Sequence, residues 1–229
     1  MDTQTFNFDG GTPYTLYPGA TLYPGFLSFD EQRRLLARCR ELEAAQGFYT
    51  PELRSGHKMT IGVLCLGLHW DASRYAYDER RTDVDDMPVA PIPDDLITIC
   101  DRLAARAGEL ITPDICIVNY YGKGSRLGMH QDKSEREETL RAGIPVISIT
   151  LGCEADFMMG GTEREDEAKP VRLRSGDGFV FGGPSRMRYH GIKKVYPGTE
   201  PAGLDMLGRI NVTFRQYWLD DGQRAARAI

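Results

Sequence analysis

No stretch of this 229-residue chain is apolar for the roughly 18–20 residues that a membrane span requires. The first residues, Met1-Asp2-Thr3-Gln4, are acidic and polar rather than basic and then apolar, so no secretory signal is expected. Cysteine is scarce and odd in number. Cys39, Cys65, Cys100, Cys116 and Cys153 are widely spaced and form no C-x-x-C pair, which argues against a disulfide framework or a cysteine zinc site and for small buried hydrophobes in a reducing cytoplasm. An excess of positive charge is also missing. With 28 Lys and Arg against 33 Asp and Glu the net charge is -5, which argues against broad, purely electrostatic binding to nucleic acid. A local basic run, Arg186, Arg188, Lys193 and Lys194, is present all the same. There is no internal repeat, low-complexity tract or long linker. What remains, 41% hydrophobic and 27% charged, reads as one cytoplasmic domain over residues 1–229 with a sizeable core.

Two helices are legible from their ends. Ser28-Phe29-Asp30-Glu31 is a capping box, with a hydroxyl and a carboxylate placed to satisfy free amides. Leu35, Leu36, Cys39 and Leu42 follow at helical spacing, and Gly47 is a stop. A second helix runs from Asp94 to Ala107, with Leu96, Ile99, Cys100, Leu103 and Ala107 on one face and Gly108 beyond. After residue 110 the texture changes to short apolar or alternating runs: Ile115 to Tyr121, Pro145 to Leu151, Val171 to Leu173, Gly178 to Phe181 and Arg209 to Trp218. Residues 59–66 add another. These read as strands. Early helices and later strands predict an α+β domain whose second half is a sandwich or small barrel. Gly67 to Pro93 is aromatic and charged with weak periodicity, and reads as long loops or a mobile flap, where binding residues concentrate.

The chain has four histidines, His57, His69, His130 and His190. Two open an HxD triplet, His69-Trp70-Asp71 and His130-Gln131-Asp132. Side chains two apart on a strand share a face, so an imidazole and a carboxylate can take adjacent corners around one metal. A further histidine completes the facial triad of non-haem Fe(II) oxygenases, and His190, after a Gly-Gly-Pro turn, is a candidate. In Arg209-Ile210-Asn211-Val212-Thr213-Phe214-Arg215 the polar residues alternate with Ile210, Val212 and Phe214. One face therefore holds two arginines and no acid. A solvated face usually mixes charges; two guanidinium forks suit a dianionic small molecule.

Taken in order, these segments resemble the AlkB family of Fe(II)- and 2-oxoglutarate-dependent nucleic-acid dealkylating dioxygenases. The likeness runs through Asn119-Tyr120-Tyr121, His130-Gln131-Asp132-Lys133 and Ser148-Ile149-Thr150-Leu151-Gly152. It continues through Gly182-Gly183-Pro184-Ser185-Arg186 and Tyr189-His190-Gly191-Ile192 to Arg209 through Gln216. It covers about residues 110–218 and extends more weakly back to about residue 50.

The resemblance implies a double-stranded β-helix (jelly roll) with flanking helices, a catalytic jelly roll at 110–218 and a nucleotide-recognition flap at 50–90. It implies catalytic metal ligation of Fe(II) by His130, Asp132 and His190. Asn119, Tyr121, Arg209, Asn211 and Arg215 match positions that hold 2-oxoglutarate, which is consumed with O2. Trp70 falls where the family places an aromatic that stacks on the damaged base. Tyr75 and Tyr77 lie in the adjoining flap, and Arg164 matches a basic substrate-contacting position. The implied activity is oxidative demethylation of 1-methyladenine and 3-methylcytosine in single-stranded DNA, with release of formaldehyde, by a monomer that needs no membrane or protein partner. The alternative is a 2-oxoglutarate-dependent hydroxylase or demethylase acting on RNA, protein or a small metabolite. One position departs from the family: many relatives carry a second acid two residues after the metal aspartate, where this chain has Ser134, followed by Glu135.

Overall fold

Alternation along the strands decides which way each side chain faces, and here it builds two sheets that share one interior and carry helices on one outer side. The computed structural model describes residues 11–220 and 222. Helix α1 spans Phe29–Gln46 and opens on the expected capping box: the Ser28 amide donates to the Glu31 carboxylate at 2.9 Å, and the Glu31 amide donates back to the Ser28 hydroxyl at 3.4 Å. A cap of this kind contributes about 1 kcal/mol. Helix α2 spans Asp94–Ala107 and ends at Gly108, whose φ of 71° is the left-handed conformation that terminates helices at glycine. A short α3, Glu137–Arg141, follows the His130-Gln131-Asp132 segment.

The larger sheet has seven strands in the order β1 (Tyr14–Tyr17), β2 (Ala20–Tyr23), β11 (Gly178–Phe181), β8 (Val146–Gly152), β13 (Arg209–Arg215), β6 (Ile115–Tyr121), β3 (Gly62–Leu66). The smaller has four, in the order β10 (Lys169–Leu173), β9 (Glu154–Met159), β12 (His190–Tyr196), β7 (Leu127–His130). This is the jelly roll. On the outer side of the larger sheet, Leu35, Leu36 and Cys39 of α1 and Leu96, Cys100 and Leu103 of α2 pack with Val118, Ile149, Ile210, Val212 and Phe214. Between the sheets lie Leu22, Ile117, Phe157, Val171, Leu173, Phe179, Phe181 and Ile192. All five cysteines are free and buried. Among the described residues no helix is long and apolar enough to cross a membrane.

Several strand limits shift. β8 starts at Val146, because Pro145 brings no amide to a ladder, and β13 ends at Arg215, where pairing with Ile115 of β6 ends. β1, β2, β7, β9 and β12 are not among the expected strands. They are short, or, like β9 with Glu154 and Asp156, carry charge on one face; in β12 the adjacent Lys193 and Lys194 sit at a register shift that breaks the alternation. The segment Gly67 to Pro93 is more ordered than long loops: β4 (His69–Asp71) and β5 (Ala76–Asp78) form a hairpin.

Candidate active site

The metal-ligating candidates meet through register. β7 and β12 are antiparallel neighbours, and His130 lies directly opposite His190, so both imidazoles leave the smaller sheet on its inner face. Asp132 follows two residues after His130. One ligand atom from each of the three lies within 4.8 Å of the others. The Asp132 carboxylate is 3.5 Å from Nε2 of His130 and 3.5 Å from Nε2 of His190. Each histidine is oriented by the carbonyl two residues before it: Nδ1 of His130 contacts Gly128 O at 2.9 Å and Nδ1 of His190 contacts Arg188 O at 3.0 Å. A carbonyl can only accept, so Nδ1 carries the proton and Nε2 keeps its lone pair for a metal. Burial, then the neighbouring His130, keeps the His190 imidazole below its ordinary pKa and neutral. Burial works against the Asp132 carboxylate, but Arg215 and the imidazoles outweigh it and hold it well below the carboxylate range. Two imidazoles and one carboxylate are the donor set that suits non-haem Fe(II). The other HxD triplet does not join them: His69 is buried against Asp83 at 2.5 Å.

The alternating strand β13 behaves as a lining. Ile210, Val212 and Phe214 join the helix-side core, while Arg209, Asn211, Thr213 and Arg215 face a cavity between the sheets. No solvated face results. The same cavity is lined by Asn119, Tyr121, His130, Asp132 and His190, with an apolar wall of Leu173, Phe157, Phe179 and Phe181. The arginines take opposite ends. Arg215 reaches Asp132 at 2.9 Å and donates to the Tyr77 hydroxyl. Arg209, only 1% exposed, lies over the Tyr121 ring at 4.9 Å and donates from Nη2 to Thr150 at 3.0 Å. Its Nε and Nη1 are buried with no partner, and burial pulls its pKa below the ordinary guanidinium value. An unpaired buried cation costs several kcal/mol, and the missing counter-charge fits one carboxylate of a dicarboxylate whose other end lies towards the three metal-ligating candidates. Asn211 donates to Ser148 at 2.7 Å and to the Ile149 carbonyl at 3.0 Å.

The hairpin β4–β5 sits against this centre. The Trp70 indole donates to the Ser134 hydroxyl at 3.3 Å, two residues after Asp132, and Trp70 packs edge-on against Tyr75 at 6.1 Å. Tyr75 is half exposed. Tyr77 points inward to Arg215 and lies edge-on to Tyr217 at 5.7 Å. Arg164 is exposed, over the Tyr189 ring at 5.2 Å. Two groups were given no role in the site from the sequence. Ser148 and Thr150 alternate with Ile147 and Ile149 just as β13 alternates, a signal present in the chain. Glu135 is fully buried between Arg186 at 3.3 Å and Arg215 at 3.6 Å, and Arg186 also donates to the Asp132 carbonyl at 2.6 Å. That bracing joins residues distant in sequence and has no local pattern; it also removes Arg186 from the basic run as a surface charge.

Residues 19–215 match the model of the 2OG-Fe(II) oxygenase superfamily. The Arabidopsis thaliana protein named DNA N(6)-methyladenine demethylase ALKBH1C is 35% identical over 222 residues, covering 87% of this chain and 49% of that protein. The chain thus spans about half the length of this plant relative. The protein named alpha-ketoglutarate-dependent dioxygenase AlkB from Escherichia coli K12 is 34% identical over 204 residues, covering 88% of this chain and 91% of that protein. The solved structure of OsALKBH1 superimposes with a TM-score of 0.84 at 36% identity, covering 90% of this chain and all of that one (100%).

Proposed function

This chain belongs to the AlkB family of 2-oxoglutarate- and Fe(II)-dependent oxygenases, and on that premise we propose that it oxidatively removes N-methyl groups from nucleic-acid bases, reversing alkylation damage. The observation that carries the reading is the cavity itself: His130, Asp132 and His190 at one end and, at the other, the Arg209 guanidinium with Nε and Nη1 unpartnered. His130, Asp132 and His190 would hold Fe(II). Arg209 would take one carboxylate of 2-oxoglutarate, with Asn119, Tyr121 and Asn211 along its length and Arg215 at the metal end. Bound Fe(II) supplies the oxidation: O2 and 2-oxoglutarate give succinate, CO2 and a hydroxylated N-methyl carbon, which leaves the base as formaldehyde.

The chain's own groups do the positioning. The carbonyls of Gly128 and Arg188 fix both imidazoles with Nε2 forward. Arg215 keeps Asp132 ionised. The apolar wall excludes water from the co-substrate. A base must leave its stack to reach this centre, which favours single strands, and Trp70 with Tyr75 offers the aromatic face for it. Stacking of this kind is worth about 1–3 kcal/mol per base. Arg164, exposed over the Tyr189 ring, would meet the strand outside.

1-Methyladenine and 3-methylcytosine are the leading substrates. One observation favours a second reading, N6-methyladenine, the base in the plant relative's name. 1-Methyladenine and 3-methylcytosine are cations at neutral pH, whereas N6-methyladenine is neutral. Asp132 and Glu135 are already paired with guanidinium groups, and the position between them and the hairpin is the uncharged Ser134. The test is mass spectrometry of single-stranded oligonucleotides, each carrying one of the three bases, incubated with enzyme, Fe(II), 2-oxoglutarate and ascorbate in air. Loss of one methyl mass matched by succinate, and absent without iron, is the expected result. Succinate without repaired strand would move the substrate outside nucleic acid.

A further inference from the structure

The rim of the barrel carries cations that the metal and co-substrate positions leave unused. At the end of β1, the Tyr17 ring has the Arg188 guanidinium 3.8 Å and the Lys169 ammonium 5.0 Å from its centroid. The Tyr17 hydroxyl donates to the Met159 carbonyl at 3.4 Å, which ties the edge of the larger sheet to the smaller one. Arg188 donates from Nη1 to the Gly160 carbonyl at 2.7 Å, and its Nε is buried without a partner. Among the described residues neither Arg188 nor Lys169 has an acid within ion-pairing distance. A second such cluster shows the contrast. Arg172 lies 3.9 Å and Lys194 4.4 Å from the Tyr196 centroid, but there Arg172 is neutralised by Glu154 at 3.0 Å and Asp156 at 2.9 Å. Glu163, Glu165, Asp166 and Glu167 closely precede Lys169, yet Asp166 is turned back onto the Glu163 amide at 3.0 Å and none of the four comes within ion-pairing distance of Lys169. Two like charges on one ring, in a chain of net charge -5, leave a local positive site that an anion would complete.

Register places that site relative to the chemistry. His130 is opposite His190, His190 opposite Met159, and Met159 opposite Lys169. Directly paired residues project from the same face of a sheet. Lys169 therefore leaves the smaller sheet on the face of the metal-ligating candidates, two strands from His190. At about 4.8 Å per strand that is roughly 10 Å between backbones. Lys169 is exposed there, so a strand with one base in the cavity would pass within its reach.

We propose that Lys169 and Arg188, presented on Tyr17, bind a backbone phosphodiester of the substrate strand beside the nucleotide whose base lies over His130, Asp132 and His190. The proposal rests on the nucleic-acid reading above and adds a place where the strand is held independently of its base. Phosphate contacts of this kind position a strand without reading its sequence.

The test measures binding, with turnover in parallel. Anisotropy of a labelled single-stranded oligonucleotide is followed against salt for the iron-loaded protein and for Lys169→Gln. The variant should bind several-fold more weakly, and its log–log salt slope should fall by about 0.7, the value of one phosphate contact on a single strand. One uncharged methylphosphonate is then moved along the oligonucleotide. At one linkage it should weaken wild-type binding as much as Lys169→Gln does, and weaken the variant no further. Equal salt slopes, the absence of such a linkage, or a wild type that does not bind the strand would each overturn the proposal. A methylated nucleoside carries no phosphate, so both proteins should turn it over alike; a variant slower on the nucleoside would overturn it too, by placing Lys169 in the chemistry. Strand binding with the predicted slope change but no demethylation would leave the phosphate site standing and sink the demethylase reading.

Discussion

The barrel interior and the hairpin that covers it hold polar groups for opposite ends. In the interior, strand register brings His130, Asp132, His190, Arg209 and Arg215 to one cavity and leaves Nε and Nη1 of Arg209 without partners. In the hairpin, one carboxylate is saturated. Asp71 accepts from the amides of Ser73 at 2.9 Å and Arg74 at 3.0 Å, the hydroxyls of Ser73 at 2.6 Å and Thr82 at 2.7 Å, and Nε of Arg74 at 2.7 Å. The first region is a receptor with unmet valence. The second is a closed brace that presents Trp70 and Tyr75. Where polar groups are left incomplete a small anion or metal is implied, and where they are complete the outward aromatic surface is what would carry the proposed recognition.

The largest effects should come from the receptor. Asp132→Ala or His130→Ala should lower demethylation by about 1000-fold or more, with parallel loss of bound iron in a colorimetric assay; undiminished turnover in either would break the metal assignment. Arg209→Met should raise the KM for 2-oxoglutarate by about 100-fold while leaving the melting temperature of the ligand-free protein unchanged or higher, because it removes an uncompensated buried charge. A lower melting temperature would make Arg209 a structural residue and erase half of the contrast.

The hairpin should respond more mildly and only towards the strand. Trp70→Ala should raise the KM for a methylated oligonucleotide by roughly 10- to 50-fold, within the range of one lost stack, and leave the KM for 2-oxoglutarate alone. Asp71→Asn should give several-fold of the same effect. Burial raises the Asp71 carboxyl, but its hydrogen-bond donors outweigh burial and hold it below the ordinary range. A depressed carboxylate contributes stability that is present above its unfolded pKa of about 3.9 and is lost as pH falls through the folded value. Trp70 fluorescence in a Trp218→Phe background should therefore hold steady from neutrality down to about pH 4 and change below it, and Asp71→Asn should remove that dependence. An acid transition that persists in Asp71→Asn would show that another carboxylate holds the hairpin.

Much of the receptor was legible in the chain because strand alternation is a local signal. The polar face of Arg209 to Arg215 and the HxD spacing follow from a period of two, and the capping box of α1 from four consecutive residues. Which HxD triplet joins His190 is not local: His69 and His130 have the same spacing to an aspartate, so the resemblance and not the spacing singled out His130, and the pairing of β7 with β12 supplies the physical reason. The hairpin was hidden for a different reason. Its order comes from side chains converging on Asp71 and from the His69–Asp83 pair rather than from hydrophobic periodicity, so the segment reads as loop. The Arg186–Glu135–Arg215 brace joins three separate segments and leaves no pattern in any of them.

β7 is four residues long, lies at the edge of its sheet with β12 as its one neighbour there, and meets an irregularity in that pairing between His190 and Ile192. Short edge strands open most readily, and their amides exchange with solvent fastest. A metal shared by His130, Asp132 and His190 would cross-link this edge to its neighbour, so amide protection of Leu127 to His130 becomes a gauge of iron occupancy that needs no turnover. The ion proposed for the chemistry would also fasten the last strand of the smaller sheet.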